Sequence, residues 1–321
     1  MRKSSPIRRL FGVICLGMLA VVPFRLAHAQ KPPAATIRVA TQPLTNYTPL
    51  LIAKEKGWFV EENLNVTWTM TVQGAVAVEA VFGGSAEFGS SGILEPIVAR
   101  GNGLDISFAV ANSRLRMKPP DAAALFVRDA DPIHGPADLV GKKVSAGLIN
   151  SVSYVHVVAW LRKNGVDPKT VQFLEVPLPQ IADALLNNRI DAGWVVEPFV
   201  TVMMQAGKAR ALVYAFHTNI PGMDISAFFA KDSWLRTNAE AARRFKRAVD
   251  RATAFMNDGP KEERNAWIAK FTGVRPELVD RMTLPLFTTE LNVESLQANV
   301  ELAASQGLMK RFDVKAMVWK P

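Results

Sequence analysis

The sequence predicts an α/β protein of two lobes, each a mainly parallel sheet flanked by helices, with a ligand cleft between the lobes. Three observations predict it. Strand-like and helix-like segments alternate through short connections, a second set of them begins after Pro119 and Pro120, and from about residue 225 the texture turns helical.

Residues 36–41 alternate as a first strand. Thr48 is placed as an N-cap with Pro49 at the first position of a helix that Gly57 stops. Val66, Trp68 and Met70 then alternate with Asn65, Thr67, Thr69 and Thr71, the pattern of a half-buried strand. Residues 74–82 read as a helix, 86–88 as a short strand, 93–100 as a helix carrying Pro96 near its start, and 106–111 as a strand. In the second set, strands are expected at 123–127, 143–146, 171–176, 190–195 and 211–215, with helices at 153–164, 180–187 and 198–205. One last apolar strand covers 225–230. Thr237 and Glu240 have the spacing of a capping box opening a helix to about Asn257, and further helices start near Pro260, Pro276 and Asn292. The chain therefore crosses between lobes near 122–127 and again near 221–229. Residues 30–121 and 225–321 fall to one lobe and 122–224 to the other. Ligands of open parallel sheets bind beyond the carboxyl ends of the strands, so the cleft is expected there.

Composition narrows the function. The 321 residues are 49% apolar, with a formal net charge of +9 and a single cysteine, which excludes a disordered chain and a disulfide scaffold. Much of the charge is local: Arg2, Lys3, Arg8, Arg9 and Arg25 lie in residues 1–29, which hold no acid. That basic start, the apolar run 10–22 and the ending Ala27, His28, Ala29 form a secretory signal peptide, cut after Ala29. The run is too short to span a bilayer, which takes about 20 apolar residues. Cys15 leaves with it, so the exported chain is expected without thiols. Arg8 and Arg9 before Phe11 weakly resemble a twin-arginine signal, and the general secretory route is favoured.

Tests for chemistry fail one by one. Gly89 to Gly92 is one residue short of a nucleophile elbow, and Ser90 stands where a phosphate loop needs lysine. Gly101 and Gly103 lack the third glycine and the helix of a dinucleotide site. His134, His156 and His217 have no paired ligand spacing, and His156 reads as a buried core histidine; neither metal nor cofactor is expected. Arg243, Arg244, Lys246, Arg247 and Arg251 share a helix whose other side is apolar, the pattern of a solvated outer face, so no nucleic acid partner is expected.

What survives is a set of polar turns, each expected just after a strand. They contribute Gln42, Asn46, Tyr47, Gln73, Gly74, Ser90, Ser91, Asn112 and Arg114 in one lobe, and Asn150, Ser151, Val152, Trp194 and Glu197 in the other. Each can be read as an N-cap, yet all converge on one cleft, where helix N-termini favour anions. Tyr47, Phe88 and Trp194 are placed to sandwich a flat or apolar ligand, unless Trp194 is simply core. Arg114 is placed either to grip a carboxylate or sulfonate or as a solvated loop arginine.

The residues also resemble a family. Asn46 to Leu50 leading into Ala53 to Phe59, then Asn63 to Val66, is similar to the opening of periplasmic binding proteins for ABC importers of the nitrate, taurine and alkanesulfonate group, which includes binders of thiamine-precursor pyrimidines. Asp138 to Val144 and the segment from Ala184 to Phe199 match further motifs of that group, so the resemblance spans nearly the whole exported chain. Glu87 departs from it, standing where the family often has Asp. The resemblance implies the two-lobed type II binding-protein fold, a periplasmic monomer closing by a hinge on a small-molecule solute, and delivery to an ABC permease in the inner membrane. It implies a small organic anion, sulfonate, taurine-like or aromatic carboxylate, with a pyrimidine-like heterocycle as the alternative, and no catalysis. Enzymes on related folds and effector domains of regulators are the rival classes. The leader speaks against the first, and the early first strand leaves no room for the second's DNA-binding segment.

Overall fold

The computed structural model describes residues 34–321, so the leader and its cleavage site lie outside the described residues. Eleven strands form two sheets. The first sheet contains β1 (Ala35–Thr41), β2 (Leu64–Met70), β3 (Phe88–Gly92) and β4 (Ser107–Arg114). The second contains β5 (Ala123–Arg128), β6 (Lys143–Ser145), β7 (Gln172–Phe173), β8 (Ala192–Val196) and β9 (Ala209–Val213). The chain then returns to the first sheet as β10 (Asp224–Ala230) and β11 (Leu286–Phe287). The strand orders are β11-β4-β10-β3-β1-β2 and β7-β6-β8-β5-β9.

The sheets are mixed, and apart from the short edge strand β11, antiparallel to β4, the departures from parallel have a common cause. Strands β1, β2 and β3 pair in parallel, as do β6, β7 and β8. The two strands that carry the chain across, β5 and β10, run antiparallel to both of their neighbours. A segment arriving from the other sheet starts at the end where its new neighbours stop, so it must run against them.

This insertion lengthens its neighbours. β3 was expected at 86–88 and runs instead to Gly92, because Ser90, Ser91 and Gly92 pair with Phe228, Ala227 and Ser226. β4 likewise continues past Ala111 to Arg114, against Ser226 and Asp224. Two expected caps also fail. Thr48 is the first residue of the helix Thr48–Glu55, entered through the short turn Thr45–Tyr47, and its hydroxyl has no partner. Thr237 closes one helix, Asp232–Thr237, by donating to the Ser233 and Trp234 carbonyls, and the long helix Ala239–Asp258 opens after Asn238.

Apolar side chains cover both faces of each sheet, as buried parallel strands require. Under the first sheet, Phe245 of the long helix stacks on Phe88 at 4.3 Å and on Phe59 at 5.6 Å. The same helix turns its basic run outward, where Arg247 pairs with Glu62 at 2.7 Å and Arg243 with Glu240 at 3.0 Å. A second cluster joins Ile97 and Phe108 to Leu125 and Trp194, and a third packs Phe126 against Ile181 and Leu185. No helix among the described residues is long and apolar enough to cross a membrane.

His156, on the helix Val152–Lys163, is wholly buried. Its Nε2 lies 3.0 Å from Asn299 Oδ1 and its Nδ1 lies 3.3 Å from Asn219 Nδ2, which also donates to the His156 carbonyl. The Asn299 amide nitrogen is committed to the Ser295 carbonyl, so Nε2 donates and Nδ1 accepts: the ring is neutral and both nitrogens are satisfied. Burial pushes its pKa down to about 4, with Asn299 and the Ala215 backbone pulling the other way. The unfolded chain therefore takes up a proton near pH 6.5 that the folded chain refuses until about pH 4. Stability from this residue is full above pH 6.5 and falls by about 1.4 kcal/mol per unit across that window. Urea unfolding of the protein and of His156→Gln at pH 4.5 to 7 should show the difference between them shrinking by that slope as pH falls; a constant difference would mean that His156 is not held neutral.

Candidate functional site

Segments from both sheets enclose a cavity of about 390 Å3 at the carboxyl ends of the strands. After β1 come Gln42, Leu44, Asn46 and Tyr47, and after β2 come Gln73 and Gly74 at the start of the helix Gly74–Gly83. Gly92 and Glu95 enter from β3 and the helix Leu94–Gly101. Ile225 and Ser226 belong to the crossing strand β10. The second sheet supplies residues 147–153 after β6, residues 176–178 after β7, Trp194 and Val196 from β8, and Phe216. A shallower depression of about 520 Å3 is lined only by residues 261–280 of the helical return and draws on neither sheet.

The loop after β6 is built for its place. Asn150 takes φ of 67°, a left-handed value that asparagine tolerates better than most residues. Ser151 then caps the helix Val152–Lys163, accepting from the Tyr154 N–H, while Ser153 Oγ donates to the Ala146 carbonyl at 2.6 Å. The helix start therefore opens into the cavity.

Nine expected residues line the cavity: Gln42, Asn46, Tyr47, Gln73, Gly74, Asn150, Ser151, Val152 and Trp194. Five do not, and extension of the strands explains four of them. Ser90 donates to Thr41 Oγ1 at 2.7 Å and Ser91 to the Gly92 carbonyl at 2.7 Å. Asn112 donates to Ser226 Oγ at 3.1 Å inside the sheet. Arg114 is consumed by the protein itself, with Nε 2.7 Å from Asp224 Oδ1 and Nη2 2.8 Å from the Glu290 carbonyl. The fifth, Glu197, is buried and accepts from the Thr201 N–H and hydroxyl and from the Thr283 N–H; burial pushes its carboxyl up and those donors pull it down. Phe88 cannot join an aromatic sandwich, because it lies under the sheet between Phe245 and Trp234.

The residue that sequence reasoning missed is Glu95. An acid in the first turn of a helix ordinarily reads as a partner for the helix dipole, which hid it. Its carboxyl sits where two glycines leave space: a Cβ on Gly92 would lie 2.8 Å from its Oε2, and one on Gly74 would lie 3.3 Å from its Cδ. Oε2 is shielded from solvent and has no hydrogen-bond partner. Burial pushes the group up, against the pull of its own backbone N–H and that of Val152 across the cavity. Burial and the Glu95 charge together push the Tyr47 phenol well above its usual range, with Ser226 opposing. Trp194 Nε1 is likewise buried without an acceptor, its ring 4.5 Å from that of Phe216. No Lys, Arg or His lines the cavity, and among the described residues no three His, Cys, Asp or Glu side chains group to hold a metal ion. The arrangement suits enclosure of a small molecule by an apolar wall with a few directed polar groups.

Comparison with known proteins bears on the fold. A family profile described as NMT1/THI5 like matches residues 44–263. The taurine-binding periplasmic protein of Escherichia coli is 28% identical over 192 residues, covering 60% of this chain and 56% of that protein. The 4-amino-5-hydroxymethyl-2-methylpyrimidine phosphate synthase THI11 of Saccharomyces cerevisiae is 20% identical, covering 74% of this chain and 70% of its own length. Among solved structures, the alkanesulfonate-binding protein SsuA from Xanthomonas axonopodis pv. citri bound to MOPS superposes with a TM-score of 0.76 at 20% identity, covering 91% of this chain and all of that one.

Arg114 and Asp224 give a test of the corrected assignment. Asp224 is only 1% exposed, burial pushes its carboxyl up, and Arg114 opposes that. Arg114→Ala strands the acid and should cost about 2–4 kcal/mol in urea unfolding, discounted for the arginine's partial exposure. A loss below about 0.5 kcal/mol, the range of an ordinary surface substitution, would return Arg114 to the role of a solvated or ligand-facing residue.

Proposed function

The chain belongs to the NMT1/THI5-like family, and from that premise we propose that it is the extracytoplasmic solute-binding component of an ABC importer. It captures a small organic molecule between two lobes and hands it, unconverted, to a permease in the inner membrane. Residues 1–29 direct export and are removed after Ala29, so the working form is a periplasmic monomer. One lobe comprises residues 30–121 and 225–321 and the other 122–224, with hinge segments at the two crossings.

The observation that carries this reading is the cavity itself. It lies at the carboxyl ends of both sets of strands, takes residues from both sheets, and is bounded by segments on either side of the two crossings. Moving the sheets apart would open it, and a solute touching both sides would hold them together. The taurine- and alkanesulfonate-binding relatives support a sulfonate-like organic anion as the solute. Amide donors at Gln42, Gln73 and Asn150 are available to its oxygens. A pyrimidine-like heterocycle is favoured by a different observation: the wall is largely apolar and aromatic, with no basic side chain.

Thermal melting of the chain from Gln30 onward against sulfonates, carboxylates, nitrate and pyrimidines tests the reading. A solute at 100 times its dissociation constant adds about 2.7 kcal/mol of stability, an easily seen shift. A shift confined to one chemical class assigns the solute; the absence of any shift across the four classes overturns the transport reading.

A further inference from the structure

We infer that Glu95 is a specificity-determining residue that receives an N–H donor of the bound solute. The inference rests on the solute-binding reading and narrows its substrate class to molecules bearing an ammonium or an amino-substituted ring.

Four features of the cavity lead to this. The Glu95 carboxyl is held in place rather than left loose, between Gly74 and Gly92, where any larger residue would collide with it or with Ser91. Its Oε2 is closed off from solvent, and no protein donor reaches it. A buried acceptor without a partner costs free energy that only an incoming donor returns. None of the residues lining the cavity can supply a cation, and none of the ion pairs among the described residues involves Glu95. The helix start at Val152 faces this carboxyl, so that positive helix end is already answered by the protein's own acid and is not free for a ligand anion.

Trp194 completes the pattern from the opposite side of the cavity. Its indole N–H is a buried donor without an acceptor. A solute that satisfies both groups carries a donor and an acceptor within one small body. A zwitterionic aminosulfonate does so with its ammonium and sulfonate, and an aminopyrimidine does so with its exocyclic amine and ring nitrogens. A plain alkanesulfonate answers Trp194 and leaves Glu95 unpaired, its charge facing the anion.

Two matched pairs of probes test the inference by calorimetry: taurine against ethanesulfonate, and 4-amino-5-hydroxymethyl-2-methylpyrimidine against the same ring without its 4-amino group. The protein should bind the amine-bearing member of one pair at least about tenfold more tightly, because a site built to accept from N–H rejects the analogue lacking it. The near-isosteric Glu95→Gln should reduce that ratio to within about threefold while the protein stays folded by melting. Gly92→Ala, whose new methyl would press on Oε2, should reduce it in the same direction. The pair that responds tells an alkylammonium from an aminoheterocycle. Tighter binding of the amine-free member, or a ratio unchanged in Glu95→Gln, overturns the role of Glu95 and leaves the transport reading standing. Absence of binding by all four probes overturns the role of Glu95, and the transport reading falls with it only if the melting panel of four classes also shows no shift.

Discussion

The structure depends on one strand placed against the grain. β10 arrives from the second sheet, slots between β3 and β4, and buries every one of its residues from Asp224 to Ala230. Its pairing supplies the hydrogen bonds that let β3 and β4 run on to Gly92 and Arg114. Its first residues lie at the cleft end, so Ile225 and Ser226 become cavity wall. Ser226 gathers Asn46, Asn112 and Ser113 around one hydroxyl, at 3.2, 3.1 and 2.6 Å, and so ties the loop after β1 to the sheet. Asp224 fixes the other margin, accepting from Arg114 and from the Asn292 N–H at 2.6 Å. Shifting this strand by one residue would exchange every inward and outward side chain and dissolve the wall.

The electrostatics of the cavity follow from what that strand consumes. Arg114, the arginine nearest by sequence to a cleft strand, spends its charge on Asp224. Glu197 spends its acceptors on Thr201 and Thr283. What remains facing the cavity is a small set of amides and hydroxyls, the half-buried acid Glu95, the exposed acid Glu79 and the indole of Trp194. The lining holds no basic side chain. Any anionic group must therefore be held by neutral N–H and O–H donors, which recognise shape and direction more than charge.

Local patterns made much of the fold legible. Alternation at Val66, Trp68 and Met70 predicted β2 and apolar spacing predicted the long helix, because both depend on neighbours in sequence. The turn at Asn150 and the cap at Ser151 were readable for the same reason. Strand ends were not. Ser90, Ser91, Asn112 and Ser113 have turn-forming side chains, and only a strand more than 100 residues away in the sequence converts them into sheet. Nor could the sequence reveal Glu95, since what distinguishes it is the space left by Gly74 and Gly92, one of them in a different segment of the chain. The parallel reading placed the two inserted strands but missed their direction, because alternation carries no direction.

These polar groups also bear on how a binding protein of this kind would respond to its solute. A ligand shifts an equilibrium between open and closed forms only by the difference in its affinity for them. If the closed form were fully satisfied by itself, it would predominate without solute and carry no signal. In the enclosed cavity Glu95 Oε2 and Trp194 Nε1 are out of water and neither has a protein partner, at a cost of about 1–3 kcal/mol for each such group. On the proposed reading, that penalty disfavours closure until a molecule supplies both the donor and the acceptor. His156 acts in the opposite sense: its bond to Asn299, and the bond from Gln306 to the Val155 carbonyl at 2.8 Å, join the helix after Ser151 to the helical return without any solute. The residues so anchored lie about one turn beyond the helix start that borders the cavity.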